Sequence, residues 1–90
     1  MMRHLPLGRV VATPGALKLL LEAGEDPLRY LSRHASGDWG DLDECDRREN
    51  ELSLRHDWRI VSSYPVREKT IWIITEADRS ITTILLPEEY

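Results

Sequence analysis

Phenylalanine is absent from this 90-residue chain, so three tryptophans and three tyrosines supply all of its large aromatic side chains. A chain of this length buries only about 60–65% of its unfolded surface, which leaves room for one modest hydrophobic core. The composition is still that of a globular protein, since 41% of the residues are hydrophobic and 31% are charged. We therefore expect a single domain over residues 1–90, with a helical part at about 13–55 and a sheet part at about 58–87.

Cysteine is scarce as well, because Cys45 is the single thiol and no disulfide can form within the chain. Such usage is typical of the reducing interior of a cell. The opening residues MMRHLPLGRVVATPG lack the apolar centre of a signal peptide, and no apolar run approaches the ~20 residues that a membrane-spanning helix needs. These absences predict a cytoplasmic protein that does not bind membranes.

Positive charge is in deficit, since 12 lysines and arginines stand against 16 aspartates and glutamates. Proteins that bind nucleic acid usually carry a basic face, because their affinity comes largely from neutralising phosphates. Here the basic residues are scattered and mostly lie beside acidic ones, as in DECDRRENE. The sequence therefore favours a protein partner over nucleic acid. Nucleic acid could bind only through a small local patch of basic residues. A homodimer also remains open.

Ligand patterns for metals and cofactors are missing too. The three histidines and Cys45 show none of the paired spacing that metal sites need. The segment DLDECDRRENEL starts like a calcium-binding loop at Asp41, but Asp46 and Leu52 stand where that loop requires glycine and glutamate. Because no glycine-rich phosphate loop is present either, we expect neither a metal nor another cofactor.

Two helices are marked by start and stop signals within TPGALKLLLEAG and DPLRYLSRHASG. In each, a capping residue, Thr13 or Asp26, precedes a proline at the first helical position. Gly24 and Gly37 are the expected stops, because glycine adopts the left-handed conformation that ends many helices. The predicted apolar stripes are Leu17, Leu20 and Leu21 in the first helix and Leu28, Leu31 and Ala35 in the second.

A third, highly charged helix is predicted from Asp41 to Leu54, since Asp41 and Glu44 resemble a capping box. Acidic residues in its first turn would interact favourably with the helix dipole. Its few apolar positions place it on the surface of the domain.

Beyond Asp57 the apolar period changes from helical to strand-like. The segments WRIVSSY, TIWIITE and ITTILL are rich in β-branched and aromatic residues and are separated by turn-forming sequences. They predict a three-stranded antiparallel β-meander on which the N-terminal helices pack, hence an α+β fold. The segment RVVA, residues 9–12, is a candidate for a short additional edge strand.

The turn lengths predict the register of this sheet. Connections at Arg67–Glu68 and Ala77–Ser80 would pair Ile60 with Thr75, Tyr64 with Ile71, Glu76 with Ile81, Thr75 with Thr82 and Ile73 with Ile84. The predicted core face carries Trp58, Ile60, Tyr64, Ile71, Ile73, Ile84 and Leu86. The opposite face carries Arg59, Val61, Trp72, Ile74, Glu76, Thr83 and Leu85.

This opposite face is unusual for a solvated surface, because Trp72, Ile74 and Leu85 would lie together on it. Two interpretations remain open. Either the third helix or the RVVA segment covers the face, or it is a site of interaction with another protein.

His34, Asp38 and Asp41 form the first candidate cluster for chemistry. A histidine oriented by a carboxylate can act as a general base near neutral pH. Capping of the helix end by these residues is the more common arrangement, and we favour it here.

Arg79 and the nearby threonines Thr82 and Thr83 form the second candidate cluster. An arginine at a hairpin tip with adjacent hydroxyl groups could hold a phosphate or a carboxylate. The ordinary alternative is turn chemistry, in which Arg79 pairs with Glu76 or Asp78.

The segments ATPGAL, RHASGDWGDL, RREN, RIVSSY and WIITEADRSITTILLPEEY together resemble a family of small bacterial proteins carried by plasmids and integrative elements, often labelled plasmid-related or restriction-subunit proteins. The resemblance covers nearly the whole chain and implies a mobile-element setting without an established activity. It also suggests a site, because many polar residues match the family's recurring motif. These are His34, Gly37, Asp38, Trp39, Asn50, Ser63, Tyr64, Glu76, Asp78, Arg79, Thr82 and Thr83.

Two functional hypotheses follow. The first is a small acidic protein that inhibits host restriction or CRISPR defence by protein–protein interaction. Its predicted binding residues are Trp72, Glu76, Asp78, Arg79, Thr83, Asp38 and Trp39. The second is a metal-independent endoribonuclease or toxin with His34 as the acid–base group, Arg79 as the phosphate-holding group and Thr82 as the positioning group. The acidic composition counts against the second hypothesis, since RNA would approach through a repulsive field.

Overall fold

Three helices and a four-stranded sheet make up the part of the chain that the structure describes. The structure is a computed structural model that describes residues 4–90, so the first three residues of the predicted domain lie outside the described residues. The elements in chain order are β1 (Arg9–Ala12), α1 (Pro14–Ala23), α2 (Pro27–Ala35), α3 (Glu44–His56), β2 (Ile60–Val66), β3 (Lys69–Thr75), β4 (Ile81–Leu85) and a short 3-10 turn (Pro87–Glu89). The α+β class is confirmed, and no helix within the described range is long and apolar enough to cross a membrane.

The sheet has the strand order β1-β4-β3-β2 and is mixed, not purely antiparallel. The predicted meander of β2, β3 and β4 is present, but RVVA forms a fourth strand that pairs in parallel with β4. The predicted three-stranded antiparallel sheet is therefore confirmed only in part, because the candidate edge strand RVVA joins it and makes the sheet mixed. The N–H groups of Arg9 and Thr13 donate to the carbonyl oxygens of Ser80 and Ile84, each at 2.9 Å. These bonds satisfy backbone groups of β4 that a three-stranded sheet would leave unpaired.

The predicted register of the meander is confirmed at four of its pairs, namely Ile60–Thr75, Tyr64–Ile71, Thr75–Thr82 and Ile73–Ile84. At the end of the β3–β4 hairpin, the Glu76 N–H donates to the Ile81 carbonyl oxygen at 3.0 Å. Because side chains alternate between the two faces of a strand, this register also settles which residues enter the core. The buried residues of the predicted core face are Ile60, Tyr64, Ile71, Ile73, Ile84 and Leu86.

Helices α1 and α2 begin and end as predicted. Their capping residues, Thr13 and Asp26, each accept a hydrogen bond from a backbone N–H of the first turn, at 3.2 and 2.9 Å. Gly24 and Gly37 follow the helices with φ values of 68° and 89°, in the left-handed region that glycine tolerates. These local signals therefore fix the helix bounds.

The apolar stripes of these two helices differ from the predicted ones. Leu17, Leu21 and Leu28, which the sequence places in the core, are 45%, 80% and 65% exposed. Ala16 is fully buried instead, and its small side chain lets α1 approach the sheet closely. The leucine run of α1 fits several stripes, and periodicity alone does not choose among them. The main core cluster contains Ala16, Leu20, Tyr30, Leu31, Tyr64, Val66, Ile71, Ile73, Ile84 and Leu86.

Helix α3 begins at Glu44, three residues later than predicted. Its N-cap is Asp43, whose carboxylate accepts a hydrogen bond from the Asp46 N–H at 2.8 Å. The predicted cap, Asp41, lies in an extended segment beside β2, where its N–H donates to the Ser63 carbonyl oxygen at 2.7 Å. This backbone bond delays the start of the helix.

Two tryptophans occupy unexpected positions. Trp58, predicted in the core, is 49% exposed, because Asp57 turns the chain in the left-handed conformation (φ 54°) before β2 begins. Trp39 is 3% exposed and packs with Leu5 and Ile60 in a second core cluster. The core therefore receives Trp39, and Trp58 becomes available to solvent.

Candidate functional site

A side chain from α3 closes part of the outer edge of β2. The Asn50 amide nitrogen donates to the Val61 carbonyl oxygen at 2.8 Å, and the amide oxygen accepts from the Val61 N–H at 3.2 Å. Asn50 is 4% exposed, although it belongs to a highly charged helix. It replaces a neighbouring strand for one residue and thereby fixes α3 alongside β2.

A short extended segment closes the next part of the same edge. The Ser63 N–H donates to the Trp39 carbonyl oxygen at 3.0 Å, and the Asp41 N–H returns a bond to Ser63. Gly40 is required between them, because a Cβ atom there would lie 2.0 Å from the Ser63 carbonyl oxygen. Pro65, the next outward-facing residue of β2, carries no N–H. This edge is therefore closed to further strands.

The closure leaves a groove between α3 and the outer face of the sheet, with a volume of about 710 Å³. We call it the α3 groove. Its lining includes Asp41, Asp46, Glu49, Trp58, Arg59, Val61, Trp72, Ile74 and Tyr90. Val61 lies opposite Ile74 in the sheet, and Trp72 lies two residues before Ile74 on the same face. The floor of the groove is therefore apolar.

Aromatic rings stand around this floor. The Trp72 and Tyr90 rings meet edge to face with centroids 5.9 Å apart, and the Arg59 guanidinium lies 5.4 Å from the centre of the Tyr90 ring. Trp58 stacks on His56 at 4.9 Å and remains 49% exposed. Ile74 is 4% exposed, so the outer face is partly covered. We call the apolar floor together with the rings of Trp58 and Tyr90 the aromatic floor of the groove.

Carboxylates lie on the α3 side of the groove. Asp46 and Glu49 are one helical turn apart on α3, and Asp41 precedes the helix. Arg59 is the one cation among the lining residues that the structure describes. The groove therefore combines an aromatic floor with a net negative rim, an arrangement that favours a ligand with apolar surface and positive charge.

Arg79 anchors the β3–β4 hairpin to α3. Its guanidinium donates to the backbone carbonyl oxygens of Trp58 at 2.7 Å, Ser53 at 2.9 Å and Glu76 at 3.2 Å. Its side chain is only 14% exposed. The Ser53 carbonyl belongs to the last turn of α3, where a cation also interacts favourably with the helix dipole. Arg79 therefore helps to position the helical wall of the α3 groove.

The other predicted residues of the hairpin region lie in different environments. Trp72 lines the α3 groove, and Thr83 is half-buried on the outer sheet face opposite Ile74. Glu76 is exposed. The Asp78 carboxylate accepts bonds from the hydroxyl and the N–H of Ser80, which hold the pKa of Asp78 below its usual value. Asp78 therefore acts as an ordinary turn residue.

The predicted residues after α2 also have internal partners. Asp38 pairs with Arg33 at 2.7 Å, and this hydrogen bond is the main cause that lowers the pKa of Asp38. Trp39 and Arg79 border a second cavity of about 630 Å³, which shares no lining residue with the α3 groove. The structure thus places these two predicted residues on one cavity, which Trp72 does not line.

His34 begins a chain of hydrogen bonds through the core. Thr82 donates to the Leu7 carbonyl oxygen at 2.7 Å and lies 2.8 Å from the hydroxyl of Thr75, which in turn lies 2.9 Å from His34 Nε2. Ser62 lies 2.5 Å from His34 Nδ1. Because Thr82 donates to Leu7, it accepts from Thr75, and Thr75 therefore accepts from Nε2–H. The geometry thus places a ring proton on Nε2, and in the neutral ring Nδ1 accepts from the Ser62 hydroxyl.

Burial has a direct electrostatic consequence for His34. The ring is fully buried, and this desolvation lowers the pKa of His34 from 6.5 to about 4. The predicted cluster with Asp38 and Asp41 is not formed, since hydroxyl groups occupy both ring nitrogens. His34 and Thr82 have no exposed surface, and the Arg79 guanidinium is bound to carbonyl groups. This arrangement gives no specific support to the ribonuclease hypothesis.

Many residues of the polar motif therefore serve the fold. His34 and Thr82 belong to the buried chain, Asn50 closes the edge of β2, and Arg79 braces α3. The Tyr64 hydroxyl donates to the Asp38 carbonyl oxygen at 2.6 Å. A set of polar residues in a small protein can thus mark internal hydrogen bonds as well as a binding site.

The rim of the α3 groove was missed at the sequence level, where Asp41 was considered only for capping, chemistry and calcium. A usable signal exists, because Asp46, Glu49, Asn50 and Ser53 follow the i, i+3, i+4, i+7 spacing of one helical face. This spacing identifies the face of α3 that meets the sheet.

Residues 4–90 contain no group of three or more histidine, cysteine, aspartate or glutamate side chains placed to hold a metal ion. Comparison of the chain with protein-family models, with curated proteins and with solved structures finds no significant match.

Proposed function

We propose that this protein is an interaction domain whose α3 groove binds a segment of a partner protein. The segment presents an aromatic or aliphatic side chain next to a lysine or arginine. The observation that carries the proposal is the combination of Trp58 and Trp72 with a carboxylate rim in one groove of about 710 Å³. The apolar side chain packs on the aromatic floor, and the neighbouring cation faces Asp46 and Glu49.

The aromatic floor supports binding because such side chains contribute much of the energy at protein interfaces. Tryptophan and tyrosine are enriched among the residues whose truncation weakens complexes most. They offer large apolar surface together with a polar group and lose little conformational entropy on binding. Exposed Trp58 and half-buried Trp72 fit this role, since the fold leaves both accessible from the groove.

The carboxylate rim supports a cationic partner. Complementary charge increases the rate of association and disfavours partners of the wrong sign. Because Asp46 and Glu49 are solvent-exposed, their contribution should weaken as salt is added. Salt dependence therefore distinguishes the proposed charged contact from purely apolar docking.

The resemblance to mobile-element proteins directs the choice of partner. We propose host restriction and CRISPR effector proteins as the first candidates, with this protein acting as their inhibitor. An acidic chain of 90 residues is suited to blocking a positively charged surface on a protein that binds nucleic acid. The mechanism requires no catalysis, because occupation of that surface is sufficient.

A plating assay tests this function. Cells that carry a restriction or CRISPR system are challenged with target phage while expressing the parent, Trp72→Ala or Leu21→Ala. Leu21 is a matched control, because it is 80% exposed and lies outside the α3 groove. We expect the parent and Leu21→Ala to inhibit the defence system and so to increase plaque formation by the phage, and Trp72→Ala to lose this effect. Equal plaque formation with all three proteins would contradict the role of the groove. No increase with the parent would contradict inhibition of the tested defence system.

A further inference from the structure

The two edges of the sheet differ in how their backbone groups are used. The edge of β2 is closed by Asn50, by the segment around Gly40 and by Pro65, as described above. At the other edge, β1 pairs with β4 and with no other strand of the described residues. Proteins usually block such an edge with proline, lysine or a bulge, because an unpaired strand is a template for another strand. The segment RVVA forms a strand of four residues with a single charge, at Arg9, and it contains no proline, lysine or bulge.

The outward-facing backbone groups of β1 follow from its pairing with β4. In a parallel ladder, alternate residues direct both their N–H and their C=O toward the neighbouring strand. Arg9 and Thr13 donate to β4, so Val11, midway between them, also faces β4. Val10 and Ala12 therefore direct their backbone groups away from the sheet. The side chains of Val10 and Val11 are 43% and 36% exposed, so a second strand can approach.

We propose that β1 pairs with β1 of a second copy of this chain, in antiparallel orientation about a twofold axis at Val11. Val10 of one copy then lies opposite Ala12 of the other and exchanges two N–H···O bonds with it. The symmetry repeats this pair, which gives four interchain bonds. Four strands from each copy form one continuous sheet of eight.

The side chains of β1 are compatible with this self-pairing. Val11 meets its own copy across the axis, a β-branched pair that stabilises antiparallel sheets. Arg9 lies opposite Thr13 of the other copy, so no like charges face each other. The α3 groove is at the opposite edge of the sheet order, beside β2, and remains accessible in the dimer. The proposal is therefore independent of the function assigned to the groove.

The first experiment removes one outward N–H. In Val10→Pro the strand loses an N–H that makes no bond to β4, a position where an edge strand accepts proline. Val10→Thr is the matched control, because it keeps the N–H and the β-branched shape. Sedimentation of each protein from about 10 µM to about 1 mM covers the range of weak specific association. We expect a concentration-dependent dimer for the parent and Val10→Thr, and at least about tenfold weaker dimerisation for Val10→Pro, because two interchain bonds are lost.

The second experiment tests the register and does not depend on proline. Val11→Lys and Val11→Glu each place like charges opposite one another at the axis, so each variant alone should dimerise more weakly than the parent. An equimolar mixture should dimerise more strongly than either variant alone, since lysine then faces glutamate. Circular dichroism confirms that each variant is folded.

The outcomes separate the possible occupants of this edge. Rescue in the lysine–glutamate mixture supports the β1 pairing at Val11. A parent that is monomeric throughout the concentration series overturns the proposal and leaves the edge to a strand from a different protein. A dimer that is unaffected by Val10→Pro and by both charge variants also overturns it, because the contact must then lie elsewhere.

Discussion

Lowering the pH from 7 to 5 should destabilise this fold through one buried residue, His34. Burial lowers the pKa of its ring from 6.5 to about 4 in the folded protein, whereas the unfolded chain has a histidine pKa of about 6.5. Between these two values the unfolded state binds a proton that the folded state does not. Stability therefore rises with pH across this window, and it is lost as the pH falls from 6.5 toward 4.

The size of this effect follows from the two pKa values. The linkage relation gives a loss of about 2 kcal/mol between pH 7 and pH 5, and of about 3 kcal/mol at pH 4. Hydrogen bonds hold the pKa values of Asp38, Asp78 and Glu89 below their usual range, so these carboxylates are still ionised at pH 5 and contribute little there. The loss between pH 7 and pH 5 is therefore assigned mainly to His34.

Urea denaturation at pH 7, 6 and 5 measures this loss. The parent should lose about 2 kcal/mol of unfolding free energy, and His34→Gln, which removes the titrating ring, should show a much smaller change. His56→Gln is the matched control, because His56 is exposed, and it should retain the slope of the parent. The NMR ring signals of His34 should remain those of the neutral form at pH 5. A parent whose stability is equal at pH 7 and pH 5, or a His34 ring that is protonated at pH 5, would refute the buried chain of hydrogen bonds through a neutral His34.

Three substitutions test the architecture that positions the groove, each by urea or thermal denaturation. Ile73→Ala should lower the unfolding free energy by about 2–5 kcal/mol, because Ile73 is fully buried in mid-strand; a melting curve equal to the parent's would contradict its place in the core. Arg79→Ala should lower the unfolding free energy by about 2–3 kcal/mol, because a charged donor to three carbonyl groups is lost. A decrease of less than about 1 kcal/mol would show that Arg79 contributes no more than an exposed ion pair. Gly40→Ala should destabilise the fold and increase amide exchange at Ser63, because its Cβ would collide with the Ser63 carbonyl; unchanged exchange would show that the segment does not pair with β2.

Features specified by neighbouring residues were predictable from the sequence. The caps Thr13 and Asp26 act within one helical turn, and the two-residue turn at Arg67–Glu68 determines how β2 and β3 pair. Once the turn is known, the alternation of side chains places Ile71 and Ile73 in the core without further information.

Features that depend on distant partners were not predictable. His34 bonds to Thr75, which lies 41 residues away, and Thr82 bonds to Leu7 across 75 residues. A polar side chain looks the same in sequence whether it faces solvent or completes an internal bond. For the same reason Arg79 resembled an exposed turn residue, and the parallel pairing of β1 with β4 left no local signal.

The binding role of the α3 groove is tested most directly by the indole signals of the three tryptophans. A random peptide library is selected on the immobilised protein, and an enriched peptide is added to ¹⁵N-labelled protein. Trp39 is an internal control, because it is 3% exposed and lies outside the groove. We predict peptides with an aromatic or aliphatic residue beside lysine or arginine, shifts of the Trp58 and Trp72 indole signals, an unchanged Trp39 signal, and loss of binding in Trp72→Ala. Peptides without a basic residue, or binding that leaves both groove indoles unchanged, would contradict the proposed site.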